Sequence, residues 1–413
     1  MRSESFATSS NALPEQHPRE NRPSRSGVRG LRRWLFELRG RLHRQIATPE
    51  FQRRAAAWLP GAWIARREAR YLFDLTAGFT YSQVLLACEE LQLLQRVAEG
   101  SVSLRTLARD CGVDAARLER LVDAAAALKL LMVEDQQVGL GRAGAGLLGN
   151  AGAMAMIRHH PLLYADLADP VALIGKEGGD VPITQLGRFW PYCRGADGLA
   201  PSIGAPSIGA PSTGAPFIDV TEDVADDPFD YSALMASSQS FINEQTLSAY
   251  AFDRHRQVLD LGGGTGRFGR ALLERYPELN VTVLDLPTVV AEAAPAERLT
   301  FAGGDFLTGP LPKGADLISL VRVLHDHDDG AVRSILRNAE AALAPGGRVL
   351  VAEPMRGNDG VDAYFACYFL AMGQGRLRSA GNIRQLLKDA GFRSVREHRS
   401  RLPLLSRILV AER

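Results

Sequence analysis

Lysine is nearly missing from this chain of 413 residues, which has only four lysines among 48 cationic side chains. The other 44 are arginines, and 47 acidic residues bring the formal net charge to +1. So small a net charge predicts no overall attraction to nucleic acid or to acidic partners. The excess of arginine accompanies many alanines and 40 glycines, which indicates genomic base composition rather than selection for guanidinium chemistry.

Cysteines and long apolar runs are also scarce. Cys88, Cys111, Cys193 and Cys367 lie far apart and form no CxxC pair, so their spacing predicts neither a zinc site nor a redox pair. No apolar run reaches the roughly eighteen residues of a membrane span, and the N-terminus lacks the apolar core of a signal peptide. We therefore expect a cytoplasmic protein with reduced thiols, either soluble or peripheral on a membrane.

The N-terminal part divides into a polar tail and a basic segment. Residues 1–28 are rich in Ser, Pro and Arg and are predicted to be disordered. Residues 29–69 begin with a helical pattern in which apolar positions share one face and arginines occupy much of the rest. The apolar positions are Leu31, Trp34, Leu35, Leu38 and Leu42. Such a helix either lies on an anionic membrane surface or packs on its own domain, and both interpretations stay open.

Residues 70–195 are predicted to form a mainly helical, winged-helix domain. The stretch SLRTLARDCGVDAARLERLVDAAAALKLLMVEDQQVGLG has two helices, with Gly112 in the turn between them, and then two short strands. This outline invites a DNA-binding interpretation. Its second helix, 114–129, carries three acidic and three basic side chains, and zero net charge suits phosphate neutralisation poorly. We therefore expect a packing module without a nucleic-acid partner, and a DNA-binding regulator is the rival hypothesis.

A repeat and then an α/β pattern complete the chain. Residues 196–218 contain an Ala-Pro repeat, which is typical of a flexible linker. Residues 219–413 alternate strands with helices, which predicts a parallel, doubly wound, Rossmann-like sheet with an antiparallel hairpin at its end. The candidate strands are 257–261, 280–286, 298–303, 316–324, 348–354 and a late pair near 394–398 and 406–411. In such sheets, ligands bind beyond the carboxyl ends of the strands.

The first of these strands leads into the glycine-rich stretch VLDLGGGTGRFGRALLERYP. Gly262, Gly264 and Gly266 allow the backbone to turn tightly and to approach a ligand at the N-terminus of the next helix. Gly264, Gly266 and Gly269 also satisfy the GxGxxG pattern, so a dinucleotide is formally possible. The glycines alone do not decide between these ligands.

Acidic residues at the strand ends favour a different ligand. Asp260 ends the first strand and suits an ammonium group, Asp285 ends the second and suits ribose hydroxyls, and Asp305 follows the third and suits an adenine amino group. Phe306 stands beside the expected ring. Together they predict S-adenosylmethionine (SAM), which has an ammonium, a ribose and an adenine but no pyrophosphate. Arg322 is expected either next to this cofactor or paired with an aspartate.

The stretch VRVLHDHDDG, 321–330, follows the fourth strand and contains two histidines and three aspartates. His325, His327 and Asp329 could coordinate a metal, a histidine could act as a general base, or the aspartates could cap the next helix. Because no further ligand cluster stands nearby, no metal is expected. Asp328 or Asp329 is a natural N-cap for the helix that follows.

Several motifs together resemble the SAM-dependent O-methyltransferases of the plant caffeate and hydroxyindole type. They are VLDLGGGTG, DLP, GDF, VLHDHDD, APGGRVLVAEP and LLKDAGF, between about residue 70 and the C-terminus. The resemblance implies a winged-helix dimerisation domain joined to a Rossmann-like methyltransferase domain, with a homodimer as the assembly. TAGFTYSQVLLACEELQLL, YSALMASSQSFINEQTL and DAYFACYFLAMGQGRLRS are most similar to the carotenoid hydroxyl methyltransferases of purple phototrophic bacteria. An acyclic hydroxycarotenoid is therefore the implied acceptor, and another lipophilic or aromatic hydroxyl is the alternative.

The same resemblance implies roles for single residues. His325 matches the family's general base, and Glu353 matches the residue that hydrogen-bonds to this base and orients it. The matching cofactor contacts are Gly262, Asp285, Asp305 and Phe306. Asp326 is expected to touch the acceptor. The chain departs from the plant pattern in having His327 in place of Trp, and Ala380 in place of a second acidic residue, so the base is expected to rely on Glu353 alone.

The segment DAYFACYFLAMG places large side chains on adjacent faces of a helix. They are Tyr364, Phe365, Tyr368, Phe369 and Met372. This stripe is either part of the core or an apolar wall for a lipophilic substrate. A polyene substrate would agree with a basic N-terminal helix resting on the inner, photosynthetic membrane.

Overall fold

The computed structural model describes residues 25–57, 59–175, 184–189, 228–401, 403 and 406–413. They fall into two compact units, one ending at Ser82 and the other beginning at Gln83. The helices are α1 Arg25–Ile46, α2 Pro49–Ala57, α3 Leu59–Glu90, α4 Leu93–Arg96, α5 Leu104–Cys111, α6 Ala115–Ala127, α7 Arg142–Leu148, α8 Ala151–Asp166, α9 Pro170–Ile174, α10 Gln185–Phe189, α11 Pro228–Ala249, α12 Arg267–Arg275, α13 Pro287–Val290, α14 Asp329–Ala342, α15 Asp359–Met372 and α16 Ala380–Asp389. The strands are β1 Val102–Ser103, β2 Leu131–Glu134, β3 Gln137–Leu140, β4 Gln257–Leu261, β5 Asn280–Asp285, β6 Leu299–Gly303, β7 Ala315–Val321, β8 Leu343–Glu353, β9 Arg393–His398 and β10 Arg407–Glu412.

The N-terminal helices differ from the predicted boundaries. Helix α1 begins at Arg25, so residues 25–28 are helical rather than part of a disordered tail, and residues 1–24 lie outside the described residues. Helix α3 continues without a break through the predicted boundary at residues 69 and 70. None of the described helices is both long enough and apolar enough to span a bilayer.

The predicted winged-helix outline is confirmed. Helices α5 and α6 are separated by a turn in which Gly112 has a φ of +68°, a backbone conformation that favours glycine. The Asp114 side chain accepts a hydrogen bond from Arg117 N (3.0 Å) and caps α6. Strands β2 and β3 form the antiparallel wing, and β1 pairs with β3. Helix α6 buries Leu118 and Val122 in the domain core.

The main sheet has seven strands in the order β6-β5-β4-β7-β8-β10-β9, and the first five are parallel. Strand β10 is antiparallel to both of its neighbours, which gives the predicted terminal hairpin. Alternate residues of β8 pack on opposite faces, since Val349 and Val351 meet one core cluster whereas Leu350 and Ala352 meet the other. Helices α14 and α16 cover the first face, and α11 and α12 cover the second. The α/β, Rossmann-like class is confirmed.

The strand order places a switch point at the centre of this sheet. The chain moves outward from β4 through β5 to β6 and then returns to the other side of β4 as β7. The connections after β4 and β7 therefore diverge and leave a crevice at the carboxyl edge. The predicted Ala-Pro linker, 196–218, lies outside the described residues.

Candidate active site

The glycine turn after β4 forms one side of this crevice. Gly262 has a φ of +68°, and a Cβ there would lie 2.8 Å from a methyl carbon of Val323. Gly266 has a φ of +81° and precedes α12, where a Cβ would lie 2.7 Å from the Phe301 ring. Only glycine fits both positions, so the backbone stays open to a ligand.

The first cavity, here called the glycine-turn cavity, collects most of the predicted cofactor residues. Its wall includes Gly262, Gly264, Asp285, Asp305, Phe306 and Arg322. The Asp285 carboxylate accepts hydrogen bonds from Gly264 N and Leu286 N, both at 2.7 Å. Burial raises the pKa of Asp285, and these two backbone donors oppose the shift. Asp305 accepts from Leu307 N at 2.8 Å and from the Thr308 hydroxyl at 2.6 Å, which orders the turn that carries Phe306.

Asp260 and Gly266 were expected at the cofactor, but neither is on the wall of this cavity. The Asp260 carboxylate is buried beneath the glycine turn, against the Cα of Gly263, and accepts a hydrogen bond from the Ser319 hydroxyl at 2.6 Å. Its other oxygen has no hydrogen-bond partner among the described residues. Burial raises the pKa of Asp260 to about 7. The geometry therefore favours support of the turn from below over direct contact with an ammonium group.

His325 lies in a short 3-10 turn, Leu324–Asp326, just after β7. Its Nδ1 is hydrogen-bonded to Glu353 Oε2 at the end of β8, and both side chains are buried. The other oxygen, Glu353 Oε1, accepts from Val323 N at 2.8 Å and from Leu324 N at 2.6 Å. A single carboxylate thus fixes both the backbone of the turn and the direction of the ring, and the sequence resemblance anticipated this pair.

The second nitrogen of His325 faces another acid. His325 Nε2 lies 3.3 Å from Asp326 Oδ1, and Asp326 is mostly buried. Burial alone lowers the pKa of His325, but the neighbouring charges of Asp326 and Glu353 outweigh it and raise this pKa above its ordinary value. An acid beside the base is therefore present, although it comes from the next residue and not from position 380.

The remaining members of the cluster divide between capping and the cavity wall. The Asp328 side chain accepts from Ala331 N at 2.8 Å and caps α14, as predicted. Asp329 is paired with Arg378 at 2.8 Å. His327 lines the glycine-turn cavity with its ring edge-on to Phe306, at a centroid distance of 5.8 Å. Within the described residues no group of three or more His, Cys, Asp or Glu side chains could hold a metal ion, and the expected absence of a metal stays a prediction.

A second cavity of about 480 Å³, here called the aromatic cavity, opens on the other side of His325. This volume lies within the range of small-molecule sites. Four of the predicted side chains line it: Tyr364, Phe365, Tyr368 and Phe369. The His325 ring centroid is 5.7 Å from that of Phe369 and 6.2 Å from that of Phe365. Met372, the fifth predicted side chain, is buried in the core and is not among the residues that line this cavity.

Two residues belong to both cavities. Arg322 and Asp326 line the glycine-turn cavity and also the aromatic cavity. A ligand of each cavity would therefore meet the other next to His325. This arrangement can align a donor with an acceptor and remove a proton from the acceptor.

Sequence reasoning missed the walls that α8 and α11 contribute to the aromatic cavity, including Met156, Ile157, His160, Phe241 and Ile242. His160 Nε2 is hydrogen-bonded to the Tyr364 hydroxyl at 3.1 Å, and His159 Nε2 to the Tyr368 hydroxyl at 2.9 Å. Burial lowers the pKa of both histidines. The adjacent histidines His159 and His160, in a mostly apolar helix, are the local sequence signal that could have indicated these walls.

Two relatives are 40% identical to the chain, and both are demethylspheroidene O-methyltransferases. The one from Rhodobacter capsulatus aligns over 355 residues, 85% of this chain and 84% of the relative. The one from Cereibacter sphaeroides aligns over 390 residues, 91% of this chain and 93% of the relative. The chain belongs to the O-methyltransferase family.

The O-methyltransferase has both domains of this family. The O-methyltransferase domain matches residues 210–393, and the O-methyltransferase dimerisation domain matches residues 73–147, which supports a homodimer. The methyltransferase of calicheamicin biosynthesis, solved in its SAH-bound form, has the same fold, with a TM-score of 0.65 and 25% identity. The alignment covers 84% of this O-methyltransferase and 98% of that chain.

Proposed function

We propose that this O-methyltransferase transfers the methyl group of SAM to the hydroxyl of an acyclic hydroxycarotenoid. One observation carries the proposal: His325, held by Glu353, lines an apolar, aromatic cavity that shares Arg322 and Asp326 with the glycine-turn cavity. The names of the two relatives that are 40% identical support a hydroxycarotenoid as the acceptor.

The residues of the glycine-turn cavity fit SAM. The Asp285 carboxylate at the end of β5 suits two ribose hydroxyls, and Asp305 with Phe306 suits an adenine. Arg267, in the first turn of α12, also lines this cavity and offers a cation to a carboxylate. When bound, SAM supplies an activated methyl group with a good thioether leaving group.

His325 would receive the proton of the acceptor. An aliphatic hydroxyl is too weak an acid to ionise first at neutral pH, so its proton has to leave as the new bond forms or after it. Nδ1 of His325 donates to Glu353, which leaves Nε2 as the accepting nitrogen. Glu353 then stabilises the imidazolium that results, as a carboxylate does in other His–carboxylate pairs.

The aromatic cavity suits a hydrocarbon acceptor. Phe365 and Phe369 are stacked with ring centroids 5.5 Å apart, and Tyr364 packs edge-on against Phe365 at 5.3 Å. Flat, conjugated substrates pack favourably on such rings. Asp326 lines both cavities and would contact the acceptor hydroxyl.

Incubation with SAM and a panel of hydroxylated acceptors tests the proposal. We expect mass spectrometry to show one added methyl group on a hydroxylated acyclic carotenoid, and a much lower rate on phenolic or hydroxyindole acceptors. Methylation of the aromatic acceptors with no reaction of the carotenoids would contradict the proposed acceptor. The same reaction without SAM is the control.

Replacement of Asp326 by asparagine is expected to move the pH dependence. Because the Asp326 charge helps to raise the pKa of His325, its removal lowers this pKa. His325 has to be neutral to accept a proton, so kcat/KM rises with pH as His325 deprotonates. We therefore expect the rising limb of the pH profile to shift to lower pH in Asp326→Asn. In the control Asp328→Asn, which removes an exposed negative charge nearby and keeps the helix cap, the limb stays in place. A limb unmoved by Asp326→Asn would refute the assignment.

We also propose that α1 rests on an anionic membrane surface. Its 22 residues contain seven arginines and one glutamate, a net charge of +6 with His43 neutral. Leu31, Trp34, Leu35 and Leu38 are nonetheless exposed. A basic helix with exposed apolar anchors is typical of interfacial binding, and a substrate dissolved in lipid favours an enzyme at its surface.

Vesicle sedimentation tests this contact. The triple variant Leu31→Ser, Leu35→Ser and Leu38→Ser is expected to bind phosphatidylcholine–phosphatidylglycerol vesicles about tenfold or more weakly, because each leucine contributes buried apolar area. A matched variant with Arg32 and Arg41 changed to glutamine should have a weaker preference for anionic vesicles and keep the apolar binding. Unchanged sedimentation of the leucine variant would refute the membrane contact.

A further inference from the structure

We propose that Arg378 is a positioning residue that holds the turn carrying His325 from the side opposite Glu353. The inference rests on the proposed role of His325 as the general base. Arg378 lies between α15 and α16, next to Ser379, which caps α16. In the sequence, Arg378 is at least 49 residues away from the three residues that its side chain binds.

The guanidinium of Arg378 is buried and makes three hydrogen bonds. NH1 donates to the Leu324 carbonyl at 2.7 Å, NH2 donates to the His327 carbonyl at 2.7 Å, and Nε donates to Asp329 Oδ1 at 2.8 Å. The side chain is only 3% exposed, so it is built into the turn and does not lie on the surface. Asp329 supplies the counter-charge that a buried guanidinium requires.

The backbone around Arg378 is also attached to the site. Arg376 N donates to the His325 carbonyl at 2.8 Å, and Gly375, with a φ of +88°, allows this approach, since a Cβ there would lie 2.7 Å from the same oxygen. Arg356 N donates to the Arg378 carbonyl at 3.0 Å, and Met355 forms a β-bridge with Arg378. The segment 375–378 is therefore docked on the chain that leaves β8 just after Glu353.

Two buried groups of opposite charge thus divide the polar groups of the turn between them. Glu353 accepts from the N–H groups of Val323 and Leu324 and from the His325 ring, and Arg378 donates to the carbonyls of Leu324 and His327. Hydrogen bonds to charged groups are shorter and stronger than neutral ones. The turn cannot rotate without breaking bonds on both sides, which keeps Nε2 of His325 directed at the acceptor.

Only arginine matches this arrangement. The planar guanidinium offers five N–H donors in a fixed fork, and here the fork reaches two carbonyls and a carboxylate at once. A lysine would retain the charge next to Asp329 but could not span both carbonyl oxygens in the same geometry. Arg376 is a natural comparison, because it also approaches Asp329, at 3.5 Å, yet its side chain is 59% exposed.

A double-mutant cycle separates positioning from general stabilisation. We expect Arg378→Met to lower kcat by about 10- to 100-fold, as a misplaced catalytic group does, with a smaller change in KM for SAM. In a His325→Ala background the same substitution should lower kcat by less than about threefold, because there is no base left to position. Arg378→Lys should give an intermediate loss. Arg384→Met, which removes a partly exposed arginine of α16 that lies 3.9 Å from Glu397, should keep near-normal activity. An equal loss in both backgrounds would show a merely structural role and overturn the inference.

An NMR titration of His325 gives a readout that does not depend on activity. With the ring ¹³C-labelled, we expect its resonances and titration midpoint to move in Arg378→Lys and to stay in place in Arg384→Met. Unmoved resonances in Arg378→Lys would overturn the inference even if activity fell. Normal turnover of His325→Ala would instead refute the proposed base, while the titration would still test the positioning of the ring. Arg378→Lys keeps the buried charge, so the titration can be run even if Arg378→Met does not fold.

Discussion

Replacement of His325 by alanine is expected to lower kcat by about 10²- to 10⁴-fold, the usual contribution of a positioned general base. The binding of SAM should change little, because His325 is not among the residues that line the glycine-turn cavity. The cavity left by the ring opens toward Phe365 and Phe369, so the acceptor should still bind. The loss should therefore fall on kcat rather than on KM.

Steady-state kinetics with a hydroxycarotenoid, together with calorimetric titration of SAM, measure these two effects. His327→Ala is the matched control, since His327 lies two residues away and lines the glycine-turn cavity against Phe306. That variant is expected to weaken SAM binding with a smaller effect on kcat. Normal turnover of His325→Ala would show that His325 is not the general base.

Replacement of Glu353 by glutamine is expected to have the second-largest effect, about 10²-fold or more on kcat. The amide can donate to Nδ1 of His325, which places the proton on Nε2 and leaves no nitrogen free to accept one. An incorrect tautomer costs up to about 10⁴-fold in other His–carboxylate pairs. The change also weakens the hydrogen bonds from Val323 N and Leu324 N, because Glu353 is their acceptor.

The pH profile and the melting temperature distinguish these causes. We expect kcat of Glu353→Gln to fall at every pH, with a moderate loss of stability from the weaker bonds to the turn. Glu340→Gln is the control. Glu340 lies on α14, forms an ion pair with Arg413 and lines neither cavity. Glu353→Gln with the activity of that control would mean that His325 does not need its carboxylate.

The sheet and the strand-end residues could be predicted because their signals are local. Strand β4 agrees with the expected 257–261. Asp285 ends β5 and Asp305 follows the neighbouring parallel strand β6, and the carboxyl ends of these strands meet at one edge. Strand β8 begins at Leu343, five residues before the prediction, because Leu343 already pairs with Ala315 of β7 ahead of Gly346 and Gly347. Two consecutive glycines are typical of a loop, so the sequence alone places the start of the strand after them.

The rest of the site depends on contacts between distant segments. Ile157 of α8 and Ile242 of α11 line the aromatic cavity, but their helices have the same apolar composition as any core helix. Arg378 is one of 44 arginines, and no local pattern distinguishes a buried guanidinium from a solvated one. Asp260 was assigned to a ligand because it ends a strand, whereas the turn folds over it.

The backbone of Arg322 is strained at the junction of the two cavities. Arg322 has a φ of +59°, in the left-handed region, and is held there by a hydrogen bond from its N–H to the Ala352 carbonyl at 2.9 Å. A residue with a Cβ carries a conformational cost of about 1 kcal/mol in this region, which glycine would not. The fold therefore gives up a little stability at the junction of its two cavities and retains there a long cationic side chain. Stability alone would favour glycine at that position, because glycine adopts a positive φ without this cost.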